Sequence, residues 1–292
     1  MVSYDPSNWF KALAFHRADT FRKLWPWLIA IGVFTWIVGF VELERMGLGD
    51  ESLVKNLPVM HSLLGFAISM LLVFRTNTAY DRWWEGRKLW GGLVNVSRNL
   101  ALRIGVYLRP EDQEGRALFA RLIGLFAHEL RDHLLRERTR LELDAAPHPE
   151  LPSIDREKHV PAQVVNAMHM RIQRLFHERA ITGEQLIVLS NDVNAFLDIC
   201  GACERIKNTP IPYSYSSFIK KFIVLYAITL PMGFAFTLGW WAVPVVMFIF
   251  YVLTSLELIA EEIEDPFSGD ENDIPMMRIA DTIERNVKEI LD

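Results

Sequence analysis

The sequence predicts an all-α membrane protein with four transmembrane helices and a helical cytosolic domain. Three observations predict it. Four apolar stretches sit at the two ends of the chain, a charged block separates them, and apolar residues recur at helical spacing through that block. The stretches are 24–41, 57–74, 222–238 and 242–256. Each is about as long as a helix needs to cross a hydrocarbon core ~30 Å thick, at ~1.5 Å per residue. No run of alternating β-branched residues marks a sheet.

Composition narrows the function classes. Hydrophobic residues make up 51% of the 292, and the net charge of −5 argues against a nucleic-acid partner. Segment 1–23 is polar and amphipathic rather than basic and then apolar, so no cleavable signal peptide is expected. Two cysteines make no disulfide framework.

Basic residues set the expected orientation. Lys11, Arg17, Arg22 and Lys23 precede the first span, Arg75, Arg82, Arg87 and Lys88 follow the second, and Lys220 and Lys221 precede the third. The loop between the first two spans holds Arg45 and Lys55 among Glu42, Glu44, Asp50 and Glu51, and the Gly239-Trp240-Trp241 turn has no charge. Both termini and the central block are therefore expected in the cytosol. Trp25, Trp27, Trp240 and Trp241 lie at span ends, where amphipathic rings anchor at the interface.

The chain divides accordingly: a cytosolic N-terminal helix at 1–23, spans one and two at 24–74, a cytosolic helical domain at 75–221, spans three and four at 222–256, and a cytosolic acidic C-terminal segment at 257–292. Inside the central block, Leu89, Leu93, Val96, Leu100 and Ile104 give a helix over 89–107 that Pro110 ends. Further helices are expected at 114–141, 164–178 and 183–206. Pro147, Pro149, Pro152 and Pro161 make 144–161 a surface loop.

Two attractive motifs are set aside. Cys200 and Cys203 form a CxxC with no second pair and no histidine nearby in sequence, inside a helical run, which reads as small apolar packing. His128, Glu129 and His133 resemble a zincin motif, but an i, i+5 spacing turns the imidazoles apart on a helix. No catalytic constellation or nucleotide fingerprint is present, so no enzyme is expected. Glu42 at the end of the first span, and Glu257, Glu261 and Glu262 after the fourth, are expected to pair with Arg75 and Arg82.

Three separated stretches carry a resemblance: Phe74 through Glu85 with its Arg82-Trp83-Trp84, Cys203 through Tyr213 with Pro210-Ile211-Pro212, and Glu261 through Phe267 followed by Ser268-Gly269-Asp270. Together they resemble the bestrophin family in its bacterial branch, over nearly the whole chain and in the right order. The resemblance implies an ion channel: a homopentamer with a funnel-shaped pore on the oligomer axis, in a bacterial inner membrane, passing small monovalent ions (chloride or sodium and potassium). It places the pore neck at Phe66, Met70 and Phe74, whose i, i+4, i+8 spacing puts them on one helical face. Animal members carry a glycine where this chain has Val73, and Met70 stands at an often aromatic position.

The resemblance also places a cytosolic constriction at Gln185 with Glu184 beside it, and Glu184 with the negative net charge tilts the expectation towards cations. Animal relatives bind calcium through a carboxylate run after the Pro-Phe pair. Here Asp270, Glu271 and Asp273 remain, a shorter run, so calcium regulation is expected to be weak or absent and no other cofactor is expected. The rival reading is a non-conducting membrane scaffold or sensor, docking a cytosolic partner through 144–161.

Overall fold

A computed structural model describes residues 20–46, 57–136, 155 and 158–292. Most of the expected N-terminal helix, the charges Asp50, Glu51 and Lys55, and most of the proline-rich 144–161 segment lie outside the described residues. Eight α-helices occur among those described: α1 (Thr20–Phe40), α2 (Leu57–Tyr107), α3 (Gln113–Arg136), α4 (Val160–His177), α5 (Gly183–Asn208), α6 (Tyr213–Leu238), α7 (Ala242–Glu264) and α8 (Met276–Leu291). A π-helical turn, Val41–Met46, extends α1, and no strand is found among the described residues. The chain divides into two compact units, Val2–Asp81 with Pro210–Glu264 and Arg82–Thr209 with Asp265–Asp292.

The first unit carries the expected spans. Helix α1 packs chiefly against α7 and also against α6, and α6 packs against α7. Leu28, Ile68, Leu72, Ile223, Leu230 and Val246 are buried at its centre. Close approach of α1 to α7 depends on a missing side chain: a Cβ on Gly32 would lie 2.7 Å from Met247 Sδ. Helix α6 continues through Pro231 and stops at Gly239, whose φ of +56° is left-handed backbone that suits glycine. A 3₁₀ turn, Gly239–Trp241, leads directly into α7.

Helix α2 is continuous over 51 residues, so the separate helix expected from residue 89 is instead the end of the same one. Its polar stretch from Arg75 to Glu85 lowers hydropathy without breaking the backbone. It contains neither Gly nor Pro, and the hydroxyls of Thr76 and Thr78 donate to the carbonyls of Leu72 and Phe74 at 2.8 and 2.9 Å.

In the second unit α3 packs against α8 and α4, and α4 against α5. Trp90, Leu100, Phe119, Phe126, Leu130 and Phe196 are fully buried, with Phe126 and Phe196 edge-to-face at 5.0 Å between centroids. The 257–292 segment is more structured than an acidic tail. Helix α7 runs on to Glu264, and α8 buries Met276, Ala280, Ile283, Val287 and Leu291 along one face.

Among the described residues, four stretches are long and apolar enough to cross a membrane: Thr20–Glu44, Leu57–Tyr107, Gly183–Asn208 and Tyr213–Glu264, the last holding both α6 and α7. Helix α5 uses its apolar side otherwise. Leu189, Val193, Phe196, Cys200 and Cys203 are buried in the second unit's core, and its Asp192 pairs with Arg103. The spans are therefore α1, the first part of α2, α6 and α7.

Candidate functional site

Phe66, Met70 and Phe74 lie on one side of α2 at 70%, 43% and 58% exposure, whereas Ile68, Leu72 and Arg75 on another side are at most 2% exposed. The three residues expected to form a neck therefore do not pack between the spans of their own chain. Large apolar side chains left uncovered on a span face lipid or a second copy of the chain. The same i, i+4 row continues to Ser62 above and Thr78 below, so a polar residue brackets the apolar stripe at each end. From Phe66 to Phe74 the stripe is ~12 Å long at the helical rise. Ser62 and Ser69 donate to the carbonyls of Pro58 and Gly65 at 2.9 and 2.7 Å, which satisfies these hydroxyls within the helix.

Directly after Phe74 the exposed face gives way to a buried cation. Arg75 donates from Nη2 to Glu264 Oε2 at 2.7 Å, and its Nε lies 3.6 Å from Glu257 Oε2. Glu264 Oε1 accepts the backbone N–H of Ile211 at 2.6 Å, just before α6 begins. One carboxylate thus joins the end of α7, the start of α6 and α2. The Arg75–Glu257 pair follows the sequence expectation. Glu264 is not part of that expectation, although its seven-residue distance from Glu257 puts both on one helical face.

The remaining expected partners are distributed differently. Glu262 accepts from Lys23, and Glu261 accepts from Lys220 at 2.8 Å. Arg82 donates to the carbonyls of Ile206 and Thr209, satisfying acceptors that the C-terminus of α5 leaves open. Trp83 donates from Nε1 to the Asn272 carbonyl at 3.1 Å.

Glu184 and Gln185 open α5 through a capping box. Thr182 Oγ1 accepts the Gln185 N–H at 3.3 Å, and Gln185 Oε1 accepts the Thr182 N–H at 2.9 Å. The amide oxygen of Gln185 is therefore occupied by the helix start. The Thr182 hydroxyl and then the backbone N–H of Glu184 hold the Glu184 carboxyl below the usual range. Ile187, close by on the same helix, is 63% exposed and is an apolar feature that no sequence motif marks.

The acidic loop folds onto itself. Ser268 Oγ lies 2.9 Å from Asp270 Oδ2 and 2.7 Å from Asp273 Oδ2, and the Asp270 N–H donates to Asp273 Oδ2 at 2.8 Å. Asp273 is buried, and burial pushes its carboxyl up. Its Oδ1 is buried with no hydrogen-bond partner among the described residues. Glu271 is exposed.

Cys200 and Cys203 are buried free thiols. Burial first, and then the charge of Glu204, pushes Cys200 up to about 12, and burial raises Cys203 as well. Inert packing is what such thiols do. The two histidines of the rejected zincin pattern go to different neighbours, His128 to Glu284 at 3.1 Å and His133 to Glu204 at 2.6 Å.

Residues 1–289 match the family described as Bacterial/Fungal Bestrophin protein. The chain belongs to the bestrophin family. Among relatives, a voltage-dependent anion channel-forming protein of Nostoc sp. is 36% identical over 97% of this chain and 92% of its own. Another of that description, from Escherichia coli K12, is 33% identical over 100% of this chain and 94% of its own. The crystal structure of a bacterial bestrophin homolog from Klebsiella pneumoniae, a point mutant, superposes with a TM-score of 0.78 at 25% identity, covering 92% of this chain and 100% of that one. The bestrophin chain described here is a helical, multi-pass membrane protein and an ion channel.

Proposed function

We propose that this bestrophin passes small monovalent ions down their gradient through a neck formed by Phe66, Met70 and Phe74. The carrying observation is the exposure of these three side chains on one face of α2, where their own chain leaves them uncovered. Around a symmetry axis, copies of that face would enclose an apolar constriction. Such a constriction opposes ions by stripping their water and closes by dewetting. Met70 adds a flexible thioether between two rigid rings.

The proposed assembly is a homopentamer in a bacterial inner membrane, with both termini and residues 75–221 in the cytosol, and with no catalytic step or cofactor. Glu184 and Gln185 are the proposed cytosolic constriction. The naming of the relatives supports anions, whereas the exposed Glu184 carboxylate supports cations. A reversal potential decides between them. Purified protein in a planar bilayer under a tenfold salt gradient should give a current reversing near one of the two Nernst potentials. A well-formed oligomer that stays silent, and stays silent as Phe74→Ala, would sink the channel reading of this stripe.

A further inference from the structure

His133 from α3, His159 at the N-terminus of α4 and Glu204 from α5 meet at one point in the second unit. Nε2 of His133 lies 2.6 Å, and Nε2 of His159 2.7 Å, from the same Glu204 oxygen, Oε1. The two imidazole centroids are 4.6 Å apart with their planes inclined at 54°, so the rings converge through their Nε2 edges rather than stack. We propose that this trio binds a divalent transition-metal ion of the zinc type.

The donor chemistry selects the ion. Two imidazole nitrogens and one carboxylate oxygen suit zinc, whereas calcium and magnesium want oxygen alone. All three ligand atoms lie within 4.8 Å of one another. A tetrahedral zinc with bonds of ~2.0–2.1 Å holds its ligands ~3.3–3.4 Å apart, so accommodation needs only shifts of under ~1 Å. The side chains are 27%, 39% and 29% exposed for His133, His159 and Glu204, which gives an ion access from solvent and leaves room for water as fourth ligand. Sequence separations of 45 and 71 residues from the histidines to Glu204 explain why no local motif reveals the site.

Binding is coupled to a helix start. His159 Nδ1 accepts the Ala162 N–H at 3.1 Å, which places the neutral ring's proton on Nε2, facing Glu204. A metal needs that Nε2 lone pair. The proton then moves to Nδ1, and the bond from Ala162 gives way.

The test uses the full chain in detergent, stripped with a chelator, with zinc titrated by calorimetry and cobalt by visible absorption. One ion per chain is expected, with four-coordinate cobalt bands and no thiolate charge-transfer band. His159→Asn keeps an N-cap acceptor while removing the imidazole. It and His133→Gln should each weaken affinity at least as much as the ~10–100-fold lost with a group that merely supports a ligand. His159→Asn gives up the bond to Glu204 but keeps the cap, so its metal-free form should still unfold cooperatively at a slightly lower temperature, which keeps the test valid if His133→Gln fails to fold. Unaltered affinity in His159→Asn, a thiolate band implicating Cys200 or Cys203, or no binding at millimolar metal would each overturn the site.

Discussion

Arg75 Nη2 donates to Glu264 Oε2 across 2.7 Å from a side chain that is 1% exposed. Removing one partner of a buried pair leaves the other charge uncompensated, at a cost of about 3–5 kcal/mol. Arg75→Met should therefore lower the unfolding temperature more than Glu264→Gln, which keeps an oxygen for the Ile211 N–H. Thermal unfolding in detergent checks the order, and equal losses would show that the guanidinium is not neutralising Glu257 as well.

The proposed neck predicts a wetting effect. Met70→Asn puts an amide in the middle of the apolar row and should raise single-channel conductance several-fold without moving the reversal potential. Conductance unchanged in both Met70→Asn and Phe74→Ala would place this face against lipid.

Two helical glycines should respond with opposite signs. A Cβ on Gly86 would lie 3.0 Å from Phe267 Cζ, 3.1 Å from Ile274 Cδ1 and 3.2 Å from Pro266 Cγ. Overpacking of that kind costs ~1–3 kcal/mol, against a gain of ~1 kcal/mol in helix propensity. Gly201 on α5 has nothing within 4 Å of such a Cβ, so only the gain of ~1 kcal/mol remains. Gly86→Ala is expected to melt below, and Gly201→Ala above, the parent protein.

Glu204 should leave a mark on acid stability. Burial raises its carboxyl, but hydrogen bonds from His159 and then His133 outweigh burial and hold it below the usual range. A folded-state value below the unfolded one gives stability that is present above the unfolded carboxylate range near ~4.3 and is lost as pH falls through the folded value. Glu204→Gln should flatten that acid limb of the unfolding curve. An unchanged limb would mean that the two histidines do not hold the charge.

Helix class and spans were legible because apolar length and 3.6-residue spacing are local properties. Continuity of α2 was not, since the stretch from Arg75 to Glu85 looks like a break in hydropathy while its backbone satisfies itself without apolar neighbours. Helix α8 was hidden behind the acidic residues before it, although Met276, Ala280, Ile283 and Val287 already show its buried face. Glu264 is masked by its sequence neighbours Glu261 and Glu262, which pair with Lys220 and Lys23 instead. The meeting of His133, His159 and Glu204 depends on three helices packing together, and no window of sequence contains it.

The partnership of α1 with α7 has a consequence for biosynthesis. The residues that fill the α1 surface around Gly32, Met247 among them, emerge about 200 residues after α1 has left the ribosome. At synthesis rates of ~5–20 residues per second, that is a wait of ~10–40 s. Through that interval the nascent α1 holds Thr35, buried in the finished unit, without its final neighbours, its hydroxyl satisfied by the Ile31 carbonyl one turn back at 2.8 Å. Slow decoding ahead of α7 would lengthen this exposed interval, and a substitution that roughens the Gly32 face would do its damage only when the last hairpin arrives to dock.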